Sequence, residues 1–166
     1  MIGNLTNAAL RASKRGLDRI DKLILRELQC DGRKSFSDLA REVHLTLSPC
    51  LDRVRRLEES GYIKGYTAVL DAKLMGAGLQ AFVEVGIEQT SPDSVKLLLS
   101  EIELLDEIIE CHMVVGDCDY LIRIRLADIE AYRRFLGERL VKLPGVVRIR
   151  TLMVVDEVKS TGRLKF

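Results

Sequence analysis

The stretch LTLSPCLDRVRRLEESG, residues Leu45 to Gly61, decides how the rest of the chain is read. Leu47, Cys50, Leu51, Val54 and Leu57 recur at helical spacing on one side, while Ser48, Pro49, Asp52, Arg53, Arg55 and Arg56 project from the other. Thr46 stands at the N-cap, Pro49 falls in the first turn where no backbone N–H is needed, and Ser60-Gly61 supplies a left-handed stop. Arginines at three of four successive positions, beside short polar residues, suit a helix lying in the major groove, because Arg neutralises phosphates and forks onto guanine edges. The same pattern also describes a solvated amphipathic face, so the neighbouring segments must choose.

Upstream, Leu17 to Gln29 reads as a helix with Leu17, Ile20, Ile24 and Leu28 on one stripe, broken by Asp31-Gly32. Ser35 caps a second short helix, with Asp38 at the capping-box position and Phe36, Leu39, Ala40 and Val43 at i, i+3, i+4 and i+7. His44-Leu45-Thr46 then leads tightly into the opening helix. Three helices with inward apolar stripes, the last two joined by a short turn, predict a helix-turn-helix over residues 17–65, and within it DNA binding overtakes the solvated-face reading. The candidate DNA contacts are Thr46, Ser48, Pro49, Asp52, Arg53, Arg55 and Arg56. Residues 1–16 show no periodicity and end in Arg11, Lys14 and Arg15, which reads as a flexible tail or an arm along phosphates.

Downstream, Tyr62 to Leu70 is β-branched and aromatic and predicts a strand, with Asp71 to Gly78 as connector, so 66–79 is a linker strand and connector. From Gln80 the period becomes two, with Ala81, Val83, Val85 and Ile87 on one face. Ser91-Pro92 opens a helix carrying Val95, Leu98, Leu99 and Ile102, and Ile108 to Val115 is the next strand. Gly116-Asp117-Cys118-Asp119 is a hairpin turn, and the strand after it alternates Tyr120, Ile122, Ile124 and Leu126 with Leu121, Arg123 and Arg125. Asp128 caps a helix with Ile129, Tyr132, Phe135, Leu136, Leu140 and Leu143, stopped by Pro144-Gly145, and Val146 to Val158 closes the chain as a strand. The order βαββαβ over residues 80–166 predicts a ferredoxin-like sandwich, and the whole chain an α+β protein. Its second sheet face, carrying Val83 and Val85 or their alternates, calls for cover by a second copy, hence a homodimer at least.

Composition narrows the function. Net charge is +1, but residues 1–65 carry 13 Lys and Arg against 9 Asp and Glu, while residues 66–166 carry 13 against 16. A basic module joined to a neutral or acidic one follows. No apolar run approaches the ~18 residues that span a membrane and no apolar signal core opens the chain, so the expected location is the cytoplasm. Cys30, Cys50, Cys111 and Cys118 form no CxxC pair, and Cys111-His112 is the sole Cys/His cluster, so free thiols and no metal are expected. No nucleophile–base pair or phosphate loop points to an enzyme. The competing reading is a small-molecule sensor or enzyme on the βαββαβ domain, with the helical unit as a protein-interaction module.

The Gly116-Asp117-Cys118-Asp119-Tyr120 turn offers a dipolar ligand both of its needs: carboxylates for an ammonium and N–H groups for a carboxylate. Asp117 and Asp119 could equally serve only the hairpin through Asx-type bonds. His112 reads as a strand residue near this turn, and Arg123 and Arg125 as partners of Glu84 or Glu88.

Taken together, LDRIDKLILRELQCDGR (17–33), SPCLDRVRRLEESGYIKGYTAVLD (48–71), ECHMVVGDCDYLIRIR (110–125), AYRRFLGERLVKLPGV (131–146) and RTLMVVDEVK (150–159) resemble the Lrp/AsnC, or feast/famine, family of transcription regulators, closest to its leucine-responsive branch. Leu47 departs from the family pattern, and residues before Leu17 have no clear match. The resemblance implies an N-terminal winged-helix-like DNA-binding domain and a C-terminal domain that binds an amino acid, leucine or another small one. It also implies no cofactor, assembly of homodimers into an octamer or similar ring, double-stranded DNA as partner, and Gly116, Asp117, Asp119 and Tyr120 as effector contacts.

Overall fold

A computed structural model describes residues 16–88 and 91–166, so the expected tail, apart from Gly16, lies outside the described residues. The chain divides into two compact units, one ending at Val69 but also including Thr161–Phe166, the other Leu70–Ser160.

In the first unit, Asp18 and Asp21 form a reciprocal capping box that starts α1 (Arg19–Cys30). Ser35 accepts a hydrogen bond from the Asp38 N–H at 3.1 Å and starts α2 (Phe36–Glu42). His44 takes the left-handed conformation, φ 56°, that reverses the chain into α3 (Leu47–Glu59). Thr46 occupies the N-cap backbone position as expected, but its side chain makes no capping bond. At the far end Gly61, φ 75°, lets the Tyr62 N–H reach back to the Leu57 carbonyl at 2.9 Å. Ile24, Leu39, Val43, Cys50, Val54 and Leu57 form the core, where each buried aliphatic side chain contributes roughly 1.5–3 kcal/mol.

The strand expected over Tyr62–Leu70 is not there. Ile63 is half-buried against the helical core, but the rest of the segment is exposed, and no described strand lies beside it to take its hydrogen bonds. β-branched residues alone do not make a strand without a partner. The second domain was also expected to run to Phe166, whereas the last residues pack on α1: the Gln29 amide accepts from the Leu164 N–H at 2.7 Å and donates to its carbonyl at 3.3 Å. Arg26 donates to the Phe166 main-chain oxygen and lies 5.9 Å from its ring centroid.

In the second unit, β1 (Leu79–Ile87), α4 (Pro92–Glu103), β2 (Ile108–Met113), β3 (Tyr120–Leu126), α5 (Ile129–Glu138), a 3₁₀ turn (Leu140–Lys142) and β4 (Val146–Met153) follow in order. The antiparallel sheet runs β2-β3-β1-β4, the split βαβ arrangement. Ala81, Val83, Val85, Ile122 and Ile124 pack against Leu98, Ile102, Phe135, Leu140 and Leu143 from the helices and the 3₁₀ turn. β4 ends at Met153 rather than Val158, where its pairing with Ala81 near the start of β1 leaves little further partner. Ile129, expected in the apolar stripe of α5, is exposed.

Of the two alternatives for the sheet face without helices, Val83 and Val85 or their alternates, the structure takes the alternates, because Val83 and Val85 lie in the helix-covered core. That face carries Phe82, Leu121 and Leu152 among Glu84, Arg123, Arg125 and Arg150. Register decides the ion pairs there. Arg123 lies across from Glu110 and bonds it at 2.5 Å, Arg150 lies across from Glu84 at 3.5 Å, and Arg125 reaches Glu157 at 3.5 Å. The expected partners of Arg123 and Arg125, Glu84 and Glu88, are not theirs, since Glu84 sits opposite Leu121 on that side.

Candidate functional site

On α3 the buried side is Cys50, Val54 and Leu57, so at 3.6 residues per turn Ser48, Asp52, Arg55 and Arg56 share the outward face. Thr46, Ser48, Pro49, Asp52, Arg55 and Arg56 are exposed and Arg53 is half-buried on the shoulder toward α1. The three arginines, equivalent in the sequence, differ here. Arg53 Nη1 donates to Asp18 Oδ2 at 2.6 Å and to Asp21 Oδ1 at 2.8 Å. Arg56 Nη2 donates to both Asp21 oxygens, at 2.6 and 2.7 Å. Arg55 makes no ion pair among the described residues.

Asp21 organises this arrangement, with only 4% of its side chain exposed. The hydrogen bond from Arg53 holds the Asp18 carboxyl below the usual carboxylate range, helped by the Asp21 N–H, and Asp18 in turn raises the Arg53 guanidinium. Sequence reasoning passed over Asp21, although a signal exists. It lies three residues before Ile24 and four after Leu17, inside the apolar stripe, where a carboxylate needs a cationic partner. Tyr66 adds a second tie to α3: its hydroxyl donates to Glu58 at 2.9 Å, and burial, then that carboxylate, pushes its pKa up to about 12.

In the second unit, Gly116–Asp119 forms the turn between β2 and β3. The Asp119 N–H donates to the Val85 carbonyl at 3.0 Å, Asp119 Oδ2 accepts from the Ile87 N–H at 2.8 Å, and the Val114 N–H donates to the Asp119 carbonyl at 3.0 Å. The turn is thus tied to the end of β1. Arg148 donates to the Asp117 carbonyl from β4, its side chain lying across Gly86, where an added Cβ would sit 3.3 Å from Arg148 Cβ and Nε. The Asp117 carboxylate is exposed and makes no bond among the described residues, and the N–H groups of Gly116, Asp117 and Cys118 likewise donate to nothing there. Tyr120, expected as an effector contact, is a core residue with 2% exposure, and burial raises its hydroxyl pKa. His112 faces outward on β2, 3.4 Å from Glu110. Exposed carboxylates beside unpaired N–H groups form a surface suited to a small zwitterion.

Residues 17–64 match a winged helix-turn-helix DNA-binding model, and residues 80–164 match the Lrp/AsnC ligand binding domain. The chain is 50% identical over 148 residues to a leucine-responsive regulatory protein of Klebsiella pneumoniae, covering 89% of this chain and 90% of that one. Its fold is similar to a transcriptional regulator from Neisseria meningitidis solved with L-Met, with TM-score 0.87, 32% identity and coverage of 90% and 96%. A feast or famine regulatory protein from M. tuberculosis complexed with L-methionine gives TM-score 0.82, 31% identity and coverage of 90% and 99%. The chain belongs to the Lrp/AsnC family of DNA-binding transcriptional regulators that respond to amino acids. Among the described residues no helix is long and apolar enough to cross a membrane.

Proposed function

We propose that α3 enters the major groove of double-stranded DNA with Arg55, which makes no ion pair among the described residues, as its principal cation. Ser48, Pro49 and Asp52 flank it on the outward face, and Thr46 stands at the helix N-terminus. Arg53 and Arg56 border the same surface but are held by Asp18 and Asp21. The observation that carries this reading is the exposed Arg55 on a helix whose opposite side buries Cys50, Val54 and Leu57 in the core.

The effector on this reading is leucine or a similar small amino acid, its ammonium on Asp117 with Asp119 near, and its carboxylate on the N–H groups of Gly116 and the residues after it. Tyr120 supports the turn from the core. The same name borne by the Klebsiella relative, and the methionine bound to two similar structures, support an aliphatic side chain. The protein acts in the cytoplasm without catalysis or cofactor, as homodimers assembling into an octamer or similar ring. The DNA-binding domain spans residues 17–65 and the effector domain begins at residue 80. Titrating the full chain with a panel of amino acids, followed by a salt-dependent gel shift with and without the tightest binder, tests both halves. Failure of every amino acid to bind, or an absence of DNA binding at moderate salt, overturns the corresponding half.

A further inference from the structure

Two arginines on a groove-seeking helix, Arg53 on its shoulder and Arg56 at the edge of its outward face, would ordinarily add two phosphate contacts, and each such contact strengthens binding to any sequence alike. Here both end on one carboxylate. Asp21 is rooted in the first turn of α1, accepts the Asp18 N–H at 3.2 Å, and takes Arg53 and Arg56 at 2.6 to 2.8 Å. Arg53 keeps 25% of its side chain exposed and Arg56 keeps 45%, so both stand at the surface with their charge already met.

We infer that Asp21 is a specificity-determining residue of the DNA-binding domain. It holds Arg53 and Arg56 off the phosphates, limits the sequence-independent part of the affinity, and leaves discrimination to the outward face of α3. The inference rests on the placement of α3 in the groove. Asp21 is a positioning residue, since it acts through the arginines and not on the DNA.

The test uses the full chain, a random-sequence duplex, and the tightest duplex selected from a random library, with affinity followed against salt. Asp21→Asn keeps the shape and the capping-box acceptor but removes the charge. Asp18 still holds Arg53 in this variant, so Arg56 is the arginine fully released. One released arginine adds about 0.9 to the slope of log affinity against log salt, and the variant should lose roughly three- to fourfold more affinity between about 50 and 200 mM salt than the parent. It should also bind random duplex more tightly at low salt, lowering the ratio between selected and random sequences. A purely structural Asp21 would lower the melting temperature and leave slope and ratio unchanged, which overturns the inference.

Two further variants keep the question open to decision should Asp21→Asn fail to fold. Arg56→Gln, with Asp21 still paired to Arg53, should change the slope by much less than one unit, whereas Arg55→Gln should reduce it by about 0.9. Equal losses at the two positions mean that Arg56 reaches phosphate in the complex, and the inference falls. Arg55→Gln with neither its slope nor its affinity for the selected duplex changed instead overturns the placement of α3 itself, with Asp21→Asn showing separately whether a released arginine gains a phosphate.

Discussion

The arginines of α3 and the aspartates of the β2–β3 turn are held in opposite ways. Arg53 and Arg56 end on a carboxylate sunk between two helices, so their charges are built into the packing of α1 on α3. Asp117 and Asp119 stand in solvent, one with no partner among the described residues and the other with a single backbone N–H at 2.8 Å. The difference lies in what each change would uncover. Removing a buried counter-charge leaves a desolvated group without its partner, whereas removing an exposed one leaves water in its place. The charges of Arg53 and Arg56 are therefore part of the fold, and charge at the turn is available to a ligand.

The hardest test of that contrast is Asp21→Ala. It deletes a capping-box member and the shared acceptor of two guanidiniums, and should destabilise the helical unit by about 2–3 kcal/mol, below the fully buried range because the arginines keep water. Chemical denaturation measures it, and a cost under about 0.5 kcal/mol would make the cluster an ordinary surface pair. At the turn, Asp117→Asn should leave stability within about 0.5 kcal/mol of the parent and weaken amino-acid binding roughly tenfold, as for loss of a charge-assisted hydrogen bond. Calorimetric titration that finds the same affinity would move the ammonium site elsewhere.

Much of this was legible in the sequence for a physical reason: helix stripes and caps are local. Ser35 with Asp38, Asp128, Ser91-Pro92 and the Ser60-Gly61 stop were all visible because their partners lie within a few residues. The partners of Arg53, Arg56 and Gln29 lie 32 to 135 residues away, and no spacing rule reaches them. Tyr62–Leu70 failed for the complementary reason, since strand propensity speaks of a side chain's fit and not of a neighbour's presence. Tyr120, an effector contact by resemblance, follows its place in the period-two pattern instead, turned inward with Ile122 and Ile124 while the preceding Asp119 stays exposed.

Gly86 probes how firmly the turn is seated. Alanine there would place its Cβ 3.3 Å from Arg148 Cβ, part of a neighbouring strand and not the free end of a side chain. The expected cost is about 1 kcal/mol, with a weaker hold of Arg148 on the Asp117 carbonyl and a small loss of effector affinity. An unchanged melting temperature would show that β4 yields freely at Arg148.

Asp18 gives the smallest and most specific effect. Its hydrogen bond from Arg53 lowers its folded-state pKa, as does the Asp21 N–H, so folding favours the charged form. The folded-state value lies below the unfolded one. Asp18 therefore stabilises the helical unit in full above its unfolded pKa, and that contribution is lost as pH falls toward and through the folded value. About half of the side chain is exposed, which limits the effect to about 0.5 kcal/mol or less. Asp18→Asn removes this titration but retains an oxygen that can cap the Asp21 N–H, which the native carboxylate binds at 2.8 Å. Asp38, also lowered, first by the Ser35 hydroxyl and then by Arg41, remains in the variant, so the acid loss should shrink without vanishing. Denaturant midpoints of parent and variant should thus draw together between about pH 6 and pH 3. If the two fall in parallel, Asp18 adds nothing to the hold on Arg53, and Asp21 alone ties α1 to the arginines of α3.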